Sequence, residues 1–364
     1  MSTYTFICHN ISSLILDNKK ASQKVCNSVK QNKVNWQKVI ELSSGWLVIP
    51  ALYNNLEKQQ LWEHIPEDIF LYLKTVHEMS EERTISMQAD IRKVYGYLRE
   101  HNIPVIALKG AAYHVNKLYN GVTFRIESDI DLLIPDNYLT KSYSLLKSNG
   151  FYAPKEHEKQ WEKRPVGHHL PALLNKSGVE VEIHQFLYPY RLTTLLSSAE
   201  VWDDAIKYDN LPASPSPTHM IMLILLHSVM GDNGYCSHTL SLRVAQDTLL
   251  IRNQYEDEID WQFIEVRFKA AHLLYIPSTY FHAMEYFFNI PVPANFKKTW
   301  RTSLFIQHMC FNNWLSKKTP YLYILISPIK RRYCHEKNNV ATFFREYLIR
   351  FKNKLNRIIN SKNT

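Results

Sequence analysis

Asp129 and Asp131 stand two residues apart in the run Ser128-Asp129-Ile130-Asp131-Leu132-Leu133-Ile134. Residues two apart in a strand point to one face, so an extended chain aims both carboxylates together and buries Ile130 and Leu132 on the other side. Two carboxylates held side by side are costly unless they share protons or bind cations. Hard oxygen donors at this spacing suit magnesium, which holds phosphate oxygens in phosphoryl or nucleotidyl transfer. An edge strand with solvated acids has the same pattern, so the pair gains meaning from its neighbours. Lys109-Gly110 closes an earlier apolar run directly before a helical pattern. There glycine lets a phosphate approach the backbone, the helix N-terminus offers unpaired N–H groups, and Lys109 adds a mobile cation for a triphosphate. Further on, Val179-Glu180-Val181-Glu182-Ile183-His184 alternates and sets Glu180, Glu182 and His184 on one strand face. A third carboxylate beside the pair can place a second magnesium or act as base on an acceptor hydroxyl. The plainer reading of this run is the polar outer face of an antiparallel strand.

The elements that must position these residues follow from periodicity. Residues 1–100 read as a helical region, with Trp36–Leu42, Trp46–Leu56 and Asp68–Glu100 carrying apolar residues three and four apart. Residues 101–211 read as an α/β core: a strand over Ile103–Leu108, a short helix over Ala111–Leu118, a strand over Ser128–Ile134 and a helix over Tyr138–Asn149 ended by Gly150. Two more strands, His169–Leu174 and Val179–Gln185, are joined by the turn Asn175-Lys176-Ser177-Gly178. Pro212-Ala-Ser-Pro-Ser-Pro217 reads as a linker, and residues 212–364 as a helical region with a basic tail. The fold class is therefore α+β: a small mixed sheet flanked by N- and C-terminal helices.

Composition narrows the function. Nine glycines among 364 residues argue against a glycine-rich nucleotide fold. Five scattered cysteines form no C-x-x-C pair, which points away from zinc and from a disulfide framework. The N-terminus lacks the basic start of a signal peptide, and the most apolar stretches, His219–Met230 and Tyr321–Ile329, are too short to span a bilayer. A cytoplasmic protein without a transmembrane segment is expected. The net charge of +9 is concentrated after Pro291, where fifteen Lys/Arg face two acidic residues. Such a tail can contact nucleic acid or an anionic surface, or can be a solvated helical face.

The run Ile106-Ala-Leu-Lys-Gly110, then Tyr119, Arg125, Ser128-Asp-Ile-Asp-Leu-Leu-Ile134 and Val181-Glu-Ile-His184, resembles the uncharacterised bacterial nucleotidyltransferases of the DNA polymerase β-like superfamily. The stretch Leu240–Leu250, Asp260-Trp261, Ile290-Pro-Val-Pro293 and the helical lead-in from Trp36 extend the resemblance over most of the chain. It implies that Asp129, Asp131 and Glu182 bind catalytic magnesium, or manganese in its place, and that Lys109, Gly110 and Ser128 lie at the triphosphate of the donor, ATP or another NTP. Arg125 either neutralises phosphate or makes a structural salt bridge. Many superfamily members carry Gly-Ser where this chain has Gly110-Ala111, so the serine hydroxyl is missing and Lys109 stands in for it. Within the helical half, Arg243 and Asp247 are one turn apart and read first as an ion pair; with His227 they are minor candidates for acceptor recognition. His168-His169 can pair with acids near the strand that ends at His184. The acceptor is left open between a small molecule, a protein and tRNA. Two rival readings are a D-x-D metal-dependent glycosyltransferase and a non-catalytic RNA-binding or regulatory module on the same fold.

Overall fold

A computed structural model describes residues 1–119, 122–154, 158, 168–176, 178–188, 194–232 and 234–318. Most of the basic tail, including Tyr321–Ile329, lies outside the described residues. Five helices come first: α1 (Thr3–Ile15), α2 (Lys19–Lys30), α3 (Trp36–Gly45), α4 (Ile49–Lys58) and α5 (Glu67–Glu100). Side-chain oxygens of Ser2, Asn18 and Asn35 cap the first three by accepting from backbone N–H groups three residues on. α5 runs 34 residues, roughly 50 Å. Its buried stripe Leu73, Ser80, Thr84, Met87, Ile91, Val94 and Leu98 follows the helical repeat.

The sheet follows, with β1 (Ile106–Ala107), α6 (Lys109–Val115), β2 (Asp129–Leu133), α7 (Leu139–Ser148), β3 (Leu173–Leu174), β4 (Glu180–His184), β5 (Ile206–Tyr208) and β6 (Leu211–Ser214). The strand order is β3-β4-β2-β1-β6-β5. β2 lies parallel to β4 and antiparallel to β1, while β1 lies parallel to β6. The fold is thus α+β, a six-stranded mixed sheet between helical regions, as expected. Two strands are shorter than the apolar runs suggest. β1 is two residues long and begins just after Pro104, which has no N–H for a ladder. His169 makes only an isolated bridge to His184, ahead of β3.

Pro212–Pro217 is not a linker, contrary to the sequence reading. Its first half is β6, in which the Ala213 N–H donates to the Val105 carbonyl at 3.0 Å. Pairing of β6 with β5 is irregular between Ile206 and Tyr208, the kind of place where a strand tolerates a residue without an N–H. Pro217 then sits in the first turn of the helix Pro217–Ile224, where the missing N–H costs nothing.

After Ile224 the helix widens into a π-helical turn, Leu225–Gly231. The helices Leu242–Tyr255, Trp261–Ala270, Tyr275–Phe288 and Trp300–Lys318 complete the described chain. The two helical regions touch: the Tyr4 hydroxyl donates to the Leu240 carbonyl at 3.2 Å, and its ring meets Phe287 edge-on at 5.0 Å. Among the described residues no helix is long and apolar enough to cross a membrane.

Candidate active site

The in-register pairing of β2 with β4 builds the site. Asp129 lies opposite Glu180 and Asp131 opposite Glu182, so the alternating acids of both strands emerge on one face. Ile130, Leu132, Val181 and Ile183 are buried on the other. At the end of β1 the chain turns sharply into α6. Lys109 takes a positive φ of 47° there. Many of the other non-glycine residues with positive φ lie just past helix C-termini, where the conformation is common. At the head of a helix it carries a cost of order 1 kcal/mol. What it achieves is visible in the contacts: Lys109 Nζ donates to Asp131 Oδ1 at 2.8 Å, and the Leu108 N–H donates to the Asp131 carbonyl at 2.9 Å.

Asp131 is the hub. It is 2% exposed, and His184 Nε2–H also donates to its Oδ1 at 2.7 Å. The same nitrogen is 3.3 Å from Glu182 Oε2, and His169 Nε2 is 4.0 Å from Glu182 Oε1. Burial alone would raise the Asp131 carboxyl, but the Lys109 charge and the His184 bond hold it well below the usual carboxylate range. Burial likewise opposes protonation of His184, yet its bonds to Asp131 and Glu182 raise its pKa. Burial pushes His168, whose ring lies tilted against His184 and edge-on to His169, down to about 4, helped by the charges of His184 and His169. Asp129 goes the other way. Burial, then the neighbouring Asp131 charge, raises its carboxyl, and the Lys109 charge offsets this only in part. The face carries more negative charge than its own cation offsets.

That imbalance decides whether a divalent cation fits. Ligand atoms of Asp131, Glu182 and His184 all lie within 4.8 Å of one another, and among the described residues Asp129 makes no close ion pair of its own. The donor set suits a hard or borderline divalent ion.

A second charged cluster borders the cavity that holds Asp129 and Asp131. Arg125 grips Asp247 with both edges of its guanidinium, Nε to Oδ1 at 2.9 Å and Nη2 to Oδ2 at 3.1 Å. Its Nη1 is 3.0 Å from Glu127 Oε1, and its plane covers the Tyr113 ring at 5.3 Å. The Tyr119 hydroxyl donates to the same Asp247 carboxylate. Arg125 thus makes the structural salt bridge of the two alternatives, and it also lines that cavity. The pair expected between Arg243 and Asp247 does not form: Asp247 belongs to Arg125, 122 residues away, and Arg243 Nη1 donates to the Ile126 carbonyl at 3.3 Å.

Glu127 was missed by the sequence reading, although Arg125-Ile126-Glu127 carries a two-residue alternation that could have shown it. It is 6% exposed, faces His114 Nε2 at 3.3 Å, and its carbonyl accepts from Arg83 Nε of α5 at 3.1 Å. It also explains Gly110. A Cβ at Gly110 would overlap the Glu127 carboxylate and crowd the Arg125 guanidinium, so glycine there makes room for an ion pair. We expect Gly110→Ala to lower stability by about 1–3 kcal/mol through this overpacking, read by urea denaturation. Wild-type stability would mean that Glu127 moves aside freely.

Lys109, Gly110, Arg125, Asp129 and Asp131 line one cavity of about 130 Å³ together with His227, Asp232 and Arg243. Ser128 is exposed at the lead-in to β2, where its carbonyl accepts from the Glu180 N–H at 3.2 Å. Asp232 had no signal in the sequence.

A mixed sheet with acids in register on two parallel strands, facing a helix N-terminus that carries a lysine, defines a core of the nucleotidyltransferase class. Residues 32–289 match the family described as uncharacterised nucleotidyltransferases, and the chain belongs to it. No curated protein and no solved structure matches the chain.

Proposed function

We propose that this protein transfers a nucleoside monophosphate from a nucleoside triphosphate to an acceptor and releases pyrophosphate, with Asp129, Asp131 and Glu182 holding one or two magnesium ions. The observation that carries the reading is the register of β2 against β4, which sets these carboxylates on one face beside Lys109. Bound divalent ions would supply the positive charge that grips triphosphate oxygens and offsets charge on the leaving group. Lys109 holds Asp131 until the donor arrives and then contributes its ammonium to the phosphates. Lys109 and Gly110, the first residues of α6, line the same cavity. Arg125, tied to Asp247 and Glu127, fixes the approach of β2 and leaves phosphate contact to Lys109. Catalysis rests on positioning and charge neutralisation. A triphosphate donor fits a cytoplasmic setting.

Calorimetry with each of the four nucleoside triphosphates, with and without magnesium or manganese, tests this. One triphosphate should bind only with the metal present, and Asp131→Ala should lose that binding while its circular dichroism stays unchanged. Equal binding by the variant, or metal-independent binding, would sink the assignment.

A further inference from the structure

The larger cavity near the site lies beside the acidic face, not on it. It encloses about 510 Å³, within the range of small-molecule pockets. Ser228, Asp232, Arg243 and Val244 line both this cavity and the smaller one that holds Asp129 and Asp131, so the two compartments share a wall. Much of that wall is the π-helical turn Leu225–Gly231 and the residue after it. The turn closes through the Asp232 N–H donating to the His227 carbonyl at 2.7 Å, five residues back. Such turns recur at functional sites. Here the turn places His227 on the acidic-face cavity, with Nδ1 3.4 Å from Asp232 Oδ2. The Asp232 side chain is 65% exposed; the partial desolvation it meets works against its charge, but the His227 bond and the Lys109 and Arg243 charges keep its carboxyl below the usual range.

The walls of the larger cavity describe its occupant. Trp46, Tyr235 and Phe305 are aromatic residues of its lining, the last two stacked on each other at 5.6 Å. Thr279 is 1% exposed and its Oγ1 has no hydrogen-bond partner among the described residues. A buried hydroxyl left without a partner costs about 1–3 kcal/mol, which a polar group of a ligand would recover. The volume is that of one small molecule.

We infer that this cavity is the acceptor site, that the acceptor is a small organic molecule with a ring for the aromatic walls and a free hydroxyl, and that His227 takes the proton of that hydroxyl. The inference rests on the nucleotidyl-transfer reading. Asp232 engages Nδ1 and leaves Nε2 as the proton acceptor. As the acceptor oxygen bonds to the α-phosphorus, the bond from that phosphorus to the α–β bridging oxygen breaks. Its electron pair leaves with pyrophosphate, and the hydroxyl proton passes to His227 Nε2.

The test incubates α-labelled nucleoside triphosphate and the full chain with an extract of the cells that make it, divided by ultrafiltration into small molecules and macromolecules. Triphosphate binding is measured alongside by calorimetry. Label should enter the small-molecule fraction. His227→Gln should lower that transfer at least about a hundredfold, the usual share of a general base, with triphosphate affinity within about twofold. Thr279→Val, which keeps the side-chain shape, should raise the filtrate concentration needed for half-maximal transfer several-fold and leave the maximal rate. Label in macromolecules, none in the filtrate products, or undiminished transfer by His227→Gln overturns the inference while triphosphate binding stands. Loss of metal-dependent triphosphate binding by the wild type overturns the underlying reading and this one with it.

Discussion

Asp131→Asn should lower nucleotidyl transfer by about a thousandfold or more, which corresponds to ~4 kcal/mol of lost transition-state stabilisation. Three of the site's interactions converge on this carboxylate: the ammonium of Lys109, the imidazole of His184 and the proposed metal. Asparagine keeps the shape and an Oδ1 that can still accept from both Lys109 and His184, but the charge that balances both is gone. The comparison with Asp129→Asn makes the result diagnostic. Asp129 has its carboxyl raised by burial and by Asp131, so the folded state already resists its ionisation. Neutralising it should leave stability unchanged or higher while transfer is lost. Asp131, held ionised by its partners, should lose stability as well as activity. Transfer rates and urea midpoints for the two variants separate the cases. Wild-type transfer by either, or a stability order opposite to this one, would contradict the charge balance inferred for the acidic face.

How much of this was legible follows from which forces are local. Asp129, Asp131 and Glu182 could be placed on strand faces because side-chain alternation is a property of the strand itself. That β2 and β4 are parallel neighbours in register is a tertiary fact, and the sequence gives faces without giving neighbours. Lys109-Gly110 was found as a strand-to-helix junction, but the reason for the glycine was not: it accommodates Glu127, a residue from the far side of the α6–β2 connection. β6 was hidden by Pro212, Pro215 and Pro217, which signal a break in any local reading, while the irregular pairing with β5 tolerates them. His227 and Asp232 draw their relation from a π-helical turn that no residue pattern in the run announces.

Asp247 shows the same competition between local and distant partners, and it carries the second large expected effect. Arg243 lies one helical turn away, yet an exposed pair at that spacing is worth only a few tenths of a kcal/mol. The Arg125 pair is buried, with side-chain exposures of 11% and 2%, and it links the lead-in to β2 with the helix Leu242–Tyr255. Removing one partner of such a pair leaves the other buried and uncompensated, at a cost of about 3–5 kcal/mol. Asp247→Leu still leaves Arg125 its contact with Glu127, so its cost should fall at the lower end. Arg125→Met strands Asp247 and Glu127 together, and should cost more. In the double variant Glu127 keeps His114 and the buried Asp247 charge is gone, so the loss should be smaller than that of Arg125→Met alone. Urea denaturation of the four proteins gives the coupling directly. Additive single losses would mean that the two residues act independently, and that the helical half is joined to the acidic strand by packing alone. A strong coupling would show that the charge pair itself registers β2 against the helix carrying Arg243 and Asp247, and so sets the distance between the acidic face and the wall on which an acceptor would rest.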